Sequence, residues 1–264
     1  MSLLETVLIN QFATFTLVLA RVGALVMAAP IFGSAAIPIH ARAFLVVAIT
    51  LLISPLVATH PPADMTNLLI YGKYLISEAL VGLLLGFGVT LFLSGIQVTG
   101  QIVSQLGGTA VAEVFDPTAN ANVSIYSHLF YFLALAMFVL LDGHRLVMDA
   151  LLDTYQYIPP GRASLGSTYV EALTTLLSQS FMLGLRAAAP TMTALLLATL
   201  VLGLVGRTMP QINILAVGFG LNALLTMGCL FTSLGAVAWA FPEHTVAAVE
   251  LLRDTLRQSV PPTP

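Results

Sequence analysis

Charge is what this sequence has least of. Only 8% of its 264 residues are charged, where a soluble domain carries roughly a quarter. So few ionised groups cannot keep a chain that is 58% hydrophobic hydrated, which excludes an ordinary soluble domain. Cysteine is nearly absent as well. Cys229 stands alone inside an apolar run, so neither an internal disulfide nor a thiolate metal cluster can be built. The formal charge of -3 leaves no basic face for nucleic acid. His-Glu-x-x-His and Gly-x-Ser-x-Gly are missing too, and with them the common hydrolase signatures. Nothing in the sequence reads as a nucleotide or cofactor site.

What is present is long apolar stretches at residues 7–29, 41–57, 68–106, 125–141, 168–202 and 212–241. Several reach the roughly 20 residues that a helix needs to cross a hydrocarbon core, whereas barrel strands would be short and alternating. The fold class is therefore all-α: an integral membrane protein of about six long helices arranged as hairpins. The first stretch follows Glu5 rather than a basic leader, and Ala28-Ala29 is followed by Pro30, so it reads as an uncleaved membrane segment. Pro38, Pro55, His60-Pro61-Pro62, Pro159-Pro160-Gly161 and Pro242 punctuate the chain, and Pro190 marks a kink inside an apolar stretch. Counting Lys and Arg by side gives Arg42 and Arg207 against Lys73, Arg145, Arg162, Arg253 and Arg257. That balance leans toward cytoplasmic termini.

The third stretch has no proline from Leu68 to Leu106 and as one helix would be roughly 57 Å long, far beyond a bilayer core of about 30 Å. Either it breaks near Gly95 to Gly100, or much of it is covered by protein. Thr90, Ser94, Gln97, Gln101 and Ser104 recur at three- and four-residue spacing and so share a face. They could line a polar lumen or hydrogen-bond a neighbouring helix. Gly72, Ala79, Gly82 and Gly86 occupy another face, with Gly88 and Gly95 roughly opposite, which suits close packing either within one chain or in a wall of several subunits.

Residues 107–124 interrupt the helices with Gly107-Gly108-Thr109, Phe115-Asp116-Pro117 and Asn120-Ala121-Asn122, a long loop of the kind that often has a function. Arg21 and Arg186 lie inside apolar stretches, where a charge demands a partner, and Glu78 is a candidate. Asp142, His144 and Asp149 carry metal- or proton-binding groups, but their spacing fits a polar helix end better than a ligand set.

The punctuating motifs fall into a familiar order. They are Leu19-Ala20-Arg21-Val22-Gly23, Ala29-Pro30-Ile31-Phe32-Gly33, Ile37-Pro38 with Arg42, Glu78 through Gly82, Gly86, Gly100 and Gly107. Ala112-Glu113-Val114-Phe115-Asp116-Pro117, Asp142-Gly143-His144, Pro190, Gly203 through Arg207 and Pro210-Gln211-Ile212-Asn213 complete the series. In this order the chain resembles the flagellar biosynthetic FliR proteins and their injectisome counterparts, the SctT subunits of type III secretion. The resemblance implies a single copy in an export gate with FliP-like and FliQ-like subunits, near FlhB-like and FlhA-like proteins. The gate would sit in the bacterial inner membrane at the flagellar basal body, project partly to the periplasmic side and pass unfolded export substrates. It would need no cofactor of its own and draw energy from its partners.

The resemblance further implies a FliP-like part at residues 1–160, a FliQ-like hairpin at 165–241 and a short tail at 242–264. The loop at about 107–123 becomes a plug, with Gly107, Gly108, Ala110 and Ala112 packing across a narrow lumen, Phe115 filling it and Asp116-Pro117 setting the bend. The Thr90 to Ser104 face is then a candidate pore lining, and Arg21, Glu78 and Arg186 are buried charges serving assembly. The rival from another class, a small secondary transporter, predicts an internal repeat, and none is evident.

Overall fold

The computed structural model describes residues 3–33, 37–57, 67–108, 124–163, 168–209, 211 and 214–258. Among them it has seven helices and no strand: α1 (Leu3–Ala28), α2 (Ile39–Ile53), α3 (Leu68–Gly107), α4 (Ile125–Leu140), α5 (Gly143–Tyr157), α6 (Thr168–Thr208) and α7 (Ile214–Gln258). The protein is an all-α membrane protein. Four of these helices are long and apolar enough to cross a bilayer, α1, α3, α6 and α7, and α4 with α5 could form a fifth, bent span. The long third stretch does not break, since α3 runs through Gly95 and Gly100 without interruption.

The chain forms two compact units. The first comprises Met1–Leu91, Asp142–Leu176 and Thr245–Pro264. Here α1 buries Leu17, Val18, Val22, Leu25 and Val26, which three- and four-residue spacing places on one side. Val81, Leu84 and Leu85 of α3 and Val147 and Leu151 of α5 are buried in the same unit. Asp142 adopts a left-handed conformation (φ 55) before α5, a region that Asp tolerates better than most residues.

The second unit comprises Phe92–Leu141 and Leu177–His244. Phe92, Leu93 and Ile96 of α3, Phe130 and Phe138 of α4, Leu183 and Leu195 of α6 and Phe241 of α7 are among its larger buried residues. The rings of Phe92 and Phe241 lie 5.4 Å apart. Ser124 caps α4, its Oγ accepting from the Ser127 amide at 3.1 Å.

One boundary differs from expectation. The sequence predicts an apolar stretch ending before Pro242 and a separate short amphipathic helix after it, yet α7 continues through that proline to Gln258 as one helix. A proline in a helix costs about 3 kcal/mol. Beyond it Thr245, Ala248, Val249, Leu252, Thr255 and Leu256 are buried at helical spacing, which offsets that cost.

Candidate functional site: a buried arginine clamp and close-packed glycines

In the first unit, Arg21 of α1 is wholly buried and every face of its guanidinium is used. Nε donates to Glu78 Oε2 at 2.7 Å, Nη1 to Thr154 Oγ1 at 2.8 Å and Nη2 to the Ile158 carbonyl at 3.0 Å. Nη2 also lies 2.6 Å from Glu78 Oε2. The other carboxylate oxygen of Glu78 accepts from the Gly161 amide at 2.8 Å. Gly161 sits at φ 82, a left-handed turn conformation open to glycine, and this turn aims its N–H at the acid. The Tyr155 ring covers the cation, 4.3 Å from guanidinium carbon to ring centre. One charge pair thus joins α1, α3, α5 and the turn after α5, with both charges neutralised and their hydrogen-bonding atoms engaged.

Beside the clamp, α3 approaches α1 at backbone distance. A side chain on Gly82 would strike the Arg21 carbonyl, and one on Gly86 would strike the Leu25 carbonyl and Ala28. Thr90 then donates to the Ala28 carbonyl at 2.7 Å. In the second unit Gly95 lies against Ser180, Gly184 against the Gly95 carbonyl, Gly100 against Tyr126 and Ser127, and Gly107 against Thr226. Thr99 donates to the Gly184 carbonyl at 3.0 Å. These glycines let helices of one chain touch one another, whereas Gly72 of the same set meets nothing within 4 Å.

Part of the Thr90 to Ser104 face is engaged within the chain. Gln101 accepts from Ser127 Oγ at 3.1 Å, and Ser104 is buried. Gln97 is half-buried with no hydrogen bond to a described side chain or loop. At the end of α3, Gly108 takes a left-handed φ of 78, the usual way a helix stops. Ala110, Ala112, Phe115, Asp116 and Pro117 lie outside the described residues.

The family model for bacterial export proteins, family 1, matches residues 12–247. The chain belongs to that family. Among the relatives of this export protein, the "Flagellar biosynthetic protein FliR" of Escherichia coli (strain K12) is 31% identical over 243 residues, 91% of each chain. The protein of the same description from Caulobacter vibrioides is 30% identical over 89% of this chain and 96% of its own. That from Bacillus subtilis (strain 168) is 26% identical over 94% and 96%.

One expected buried charge of the export protein lies on the surface of the chain taken by itself. Arg186 is exposed rather than buried, because α6 turns Leu183, Ala187, Thr191 and Leu195 inward and leaves position 186 off that stripe. Its guanidinium has no partner among the described residues, so the clamp gathers Arg21 and Glu78 without it. Asp142, His144 and Asp149 do not converge, and no three His, Cys, Asp or Glu among the described residues could hold a metal. The roles of Thr154, Tyr155 and Gly161 were missed in the sequence. The one local signal for them was Pro159-Pro160-Gly161, a tight-turn sequence read only as a linker.

Proposed function

We propose that the chain is a structural, non-catalytic subunit of the flagellar type III protein-export gate in the bacterial inner membrane. Family membership over residues 12–247 carries this reading, together with relatives described as flagellar biosynthetic proteins over nearly their whole length. The unspent apolar surface supports it. The most apolar stretch of α3 is 61% buried within the chain, but those of α6 and α7 are only 22% and 28% buried, so those two helices need lipid or companion chains around them.

In this reading one copy assembles with FliP-like and FliQ-like subunits beside FlhB-like and FlhA-like proteins. Residues 1–160 act as the FliP-like part, 165–241 as the FliQ-like hairpin and 242–264 as a tail that completes the packing. The clamp and the glycine contacts make this a rigid wall element, and the loop at 107–123 serves as a plug that unfolded substrates displace. The descriptions of the relatives favour flagellar over injectisome service.

The test is to delete the gene in its own host and follow flagellar subunits in the medium. Their export should stop and return with a plasmid copy, and unchanged flagellar export would overturn the reading. Purification in mild detergent separates the transporter alternative, since a gate subunit emerges with stoichiometric companions and a transporter emerges alone.

A further inference from the structure

Arg186 and Arg207 bracket residues 187–206, which contain no charge. As helix that stretch is about 30 Å long, the thickness of a hydrocarbon core. Both arginines are exposed, and the large side chains between them that face outward are Leu196, Leu197, Leu200, Val201 and Leu204, with Pro190 and Thr193 also exposed near Arg186. Before Arg186 the exposed positions mix Ser178 and Gln179 with Leu177, Phe181 and Met182.

The hydroxyls inside the bracket are all satisfied within the chain. Thr193 donates to the Ala189 or Pro190 carbonyl at 3.0 or 2.9 Å, Thr199 to the Leu195 carbonyl at 2.8 Å, and Thr191 pairs with Ser233 at 2.7 Å. A segment in lipid requires this, because no water is there to take up a stray donor. Pro190 has no N–H to give the Arg186 carbonyl, so that carbonyl is best placed where water begins.

Helix α7 packs against this stretch, and its buried Asn222 Oδ1 and Thr226 Oγ1 have no hydrogen-bond partner among the described residues. Thr191 meets Ser233, and Leu202 lies beside Gly218, so the two helices are antiparallel in this unit. Six residues beyond Ser233, about 9 Å of helix, stands Trp239, 86% exposed. Arg186 lies a comparable distance, about 7 Å, beyond Thr191 on the same side. An exposed tryptophan level with an exposed arginine is the composition of a membrane–water interface. Beyond Trp239 comes the exposed acid Glu243.

We propose that the bilayer core covers Ala187–Gly206 of α6 and the facing part of α7, with Arg186 and Arg207 bound to lipid phosphates of opposite leaflets. The α6 residues before Arg186 stand outside the hydrocarbon. This inference goes beyond the export reading and does not depend on it, so failed export with an intact lipid pattern would sink one and leave the other.

The test places spin labels at Gln179→Cys and Leu200→Cys, in a Cys229→Ala background, in the full chain with any companions that copurify, reconstituted into phosphatidylethanolamine and phosphatidylglycerol vesicles. The Leu200 label should collide several-fold more with oxygen than with a water-soluble nickel chelate, and the Gln179 label should show the reverse. A Leu200 label shielded from both reagents would put protein on this face, and one open to nickel would put water there; either overturns the proposal. Trp239 is the only tryptophan of the chain, so its fluorescence reports depth in vesicles of the full chain. Lipids brominated near the headgroup should quench it most, and Arg186→Leu should shift the strongest quenching toward deeper bromines. If that variant does not reconstitute, the unsubstituted chain decides alone, since no quenching, or strongest quenching by the deepest bromines, overturns the placement.

Discussion

Nη2 of Arg21 stands 2.6 Å from Oε2 of Glu78, and neither side chain has any exposed surface. The two residues come from different helices, 57 positions apart in sequence, so the pair fixes α1 against α3. The Thr154 and Ile158 contacts extend that fixation to α5 and the residue after it.

Leaving one member of a buried pair without the other costs about 3–5 kcal/mol, while replacing both by apolar side chains is often close to neutral. Arg21→Met and Glu78→Leu should therefore each lower stability by about that amount, and the double variant should recover most of it. The measurement is the denaturant midpoint of the chain in mild detergent. Single variants within about 0.5 kcal/mol of the parent, the range of unremarkable surface changes, would show that the pair holds nothing together.

Gly82 and Gly72 make a matched comparison on one helix. A methyl on Gly82 would overlap the Arg21 carbonyl, a backbone atom that cannot swing aside, whereas one on Gly72 meets nothing within 4 Å. Gly82→Ala should destabilise by about 1–3 kcal/mol through forced separation of α1 and α3. Gly72→Ala should be neutral or stabilising by up to about 1 kcal/mol through helix propensity. Thermal midpoints of the two variants side by side provide the check, and equal midpoints would contradict the backbone contact.

Gln97 and Gln101 separate the two uses of the polar face. Gln101 is engaged by Ser127, so Gln101→Ala should cost about 1 kcal/mol. Gln97→Ala should stay within about 0.5 kcal/mol. In assembled complexes a cysteine at position 97 should react with an impermeant maleimide from the periplasmic side, and one at 101 should react several-fold more slowly. Equal rates would mean that the whole face is open to water.

How much of this was legible beforehand depends on how local each cause is. The length of α3 was visible because nothing from Leu68 to Leu106 can stop a helix. Arg21 and Glu78 stood out because a charge in an apolar run is conspicuous anywhere. Thr154 and Ile158 were not legible, since their bonds to Arg21 span 133 and 137 positions and no short-range pattern encodes them. Arg186 stands apart from the clamp for a related reason. Hydropathy locates a charge along a helix but not around it, and only packing decides which face turns outward. Pro242 shows the converse, a local stop signal overridden by the buried residues from Thr245 to Leu256.

The loop following Gly108 carries the last prediction. Gly107 is pressed against Thr226, and Gly108 ends α3 in a left-handed turn, so the start of the loop is anchored within the second unit. At its other end Ser124 caps α4. With both ends held by the chain's own helices, removing Thr109 to Asn120 should leave α3, α4 and the assembled complex intact, because the lost residues close none of these contacts. If the loop plugs a conduit, cells carrying the deletion should leak small solutes and ions across the inner membrane while the complex remains at parental abundance. Potassium efflux and the membrane potential give the readout, with complex abundance measured in the same cells. An assembled complex with parental ion permeability would remove the plug from the account and leave the loop as a connection between two helices.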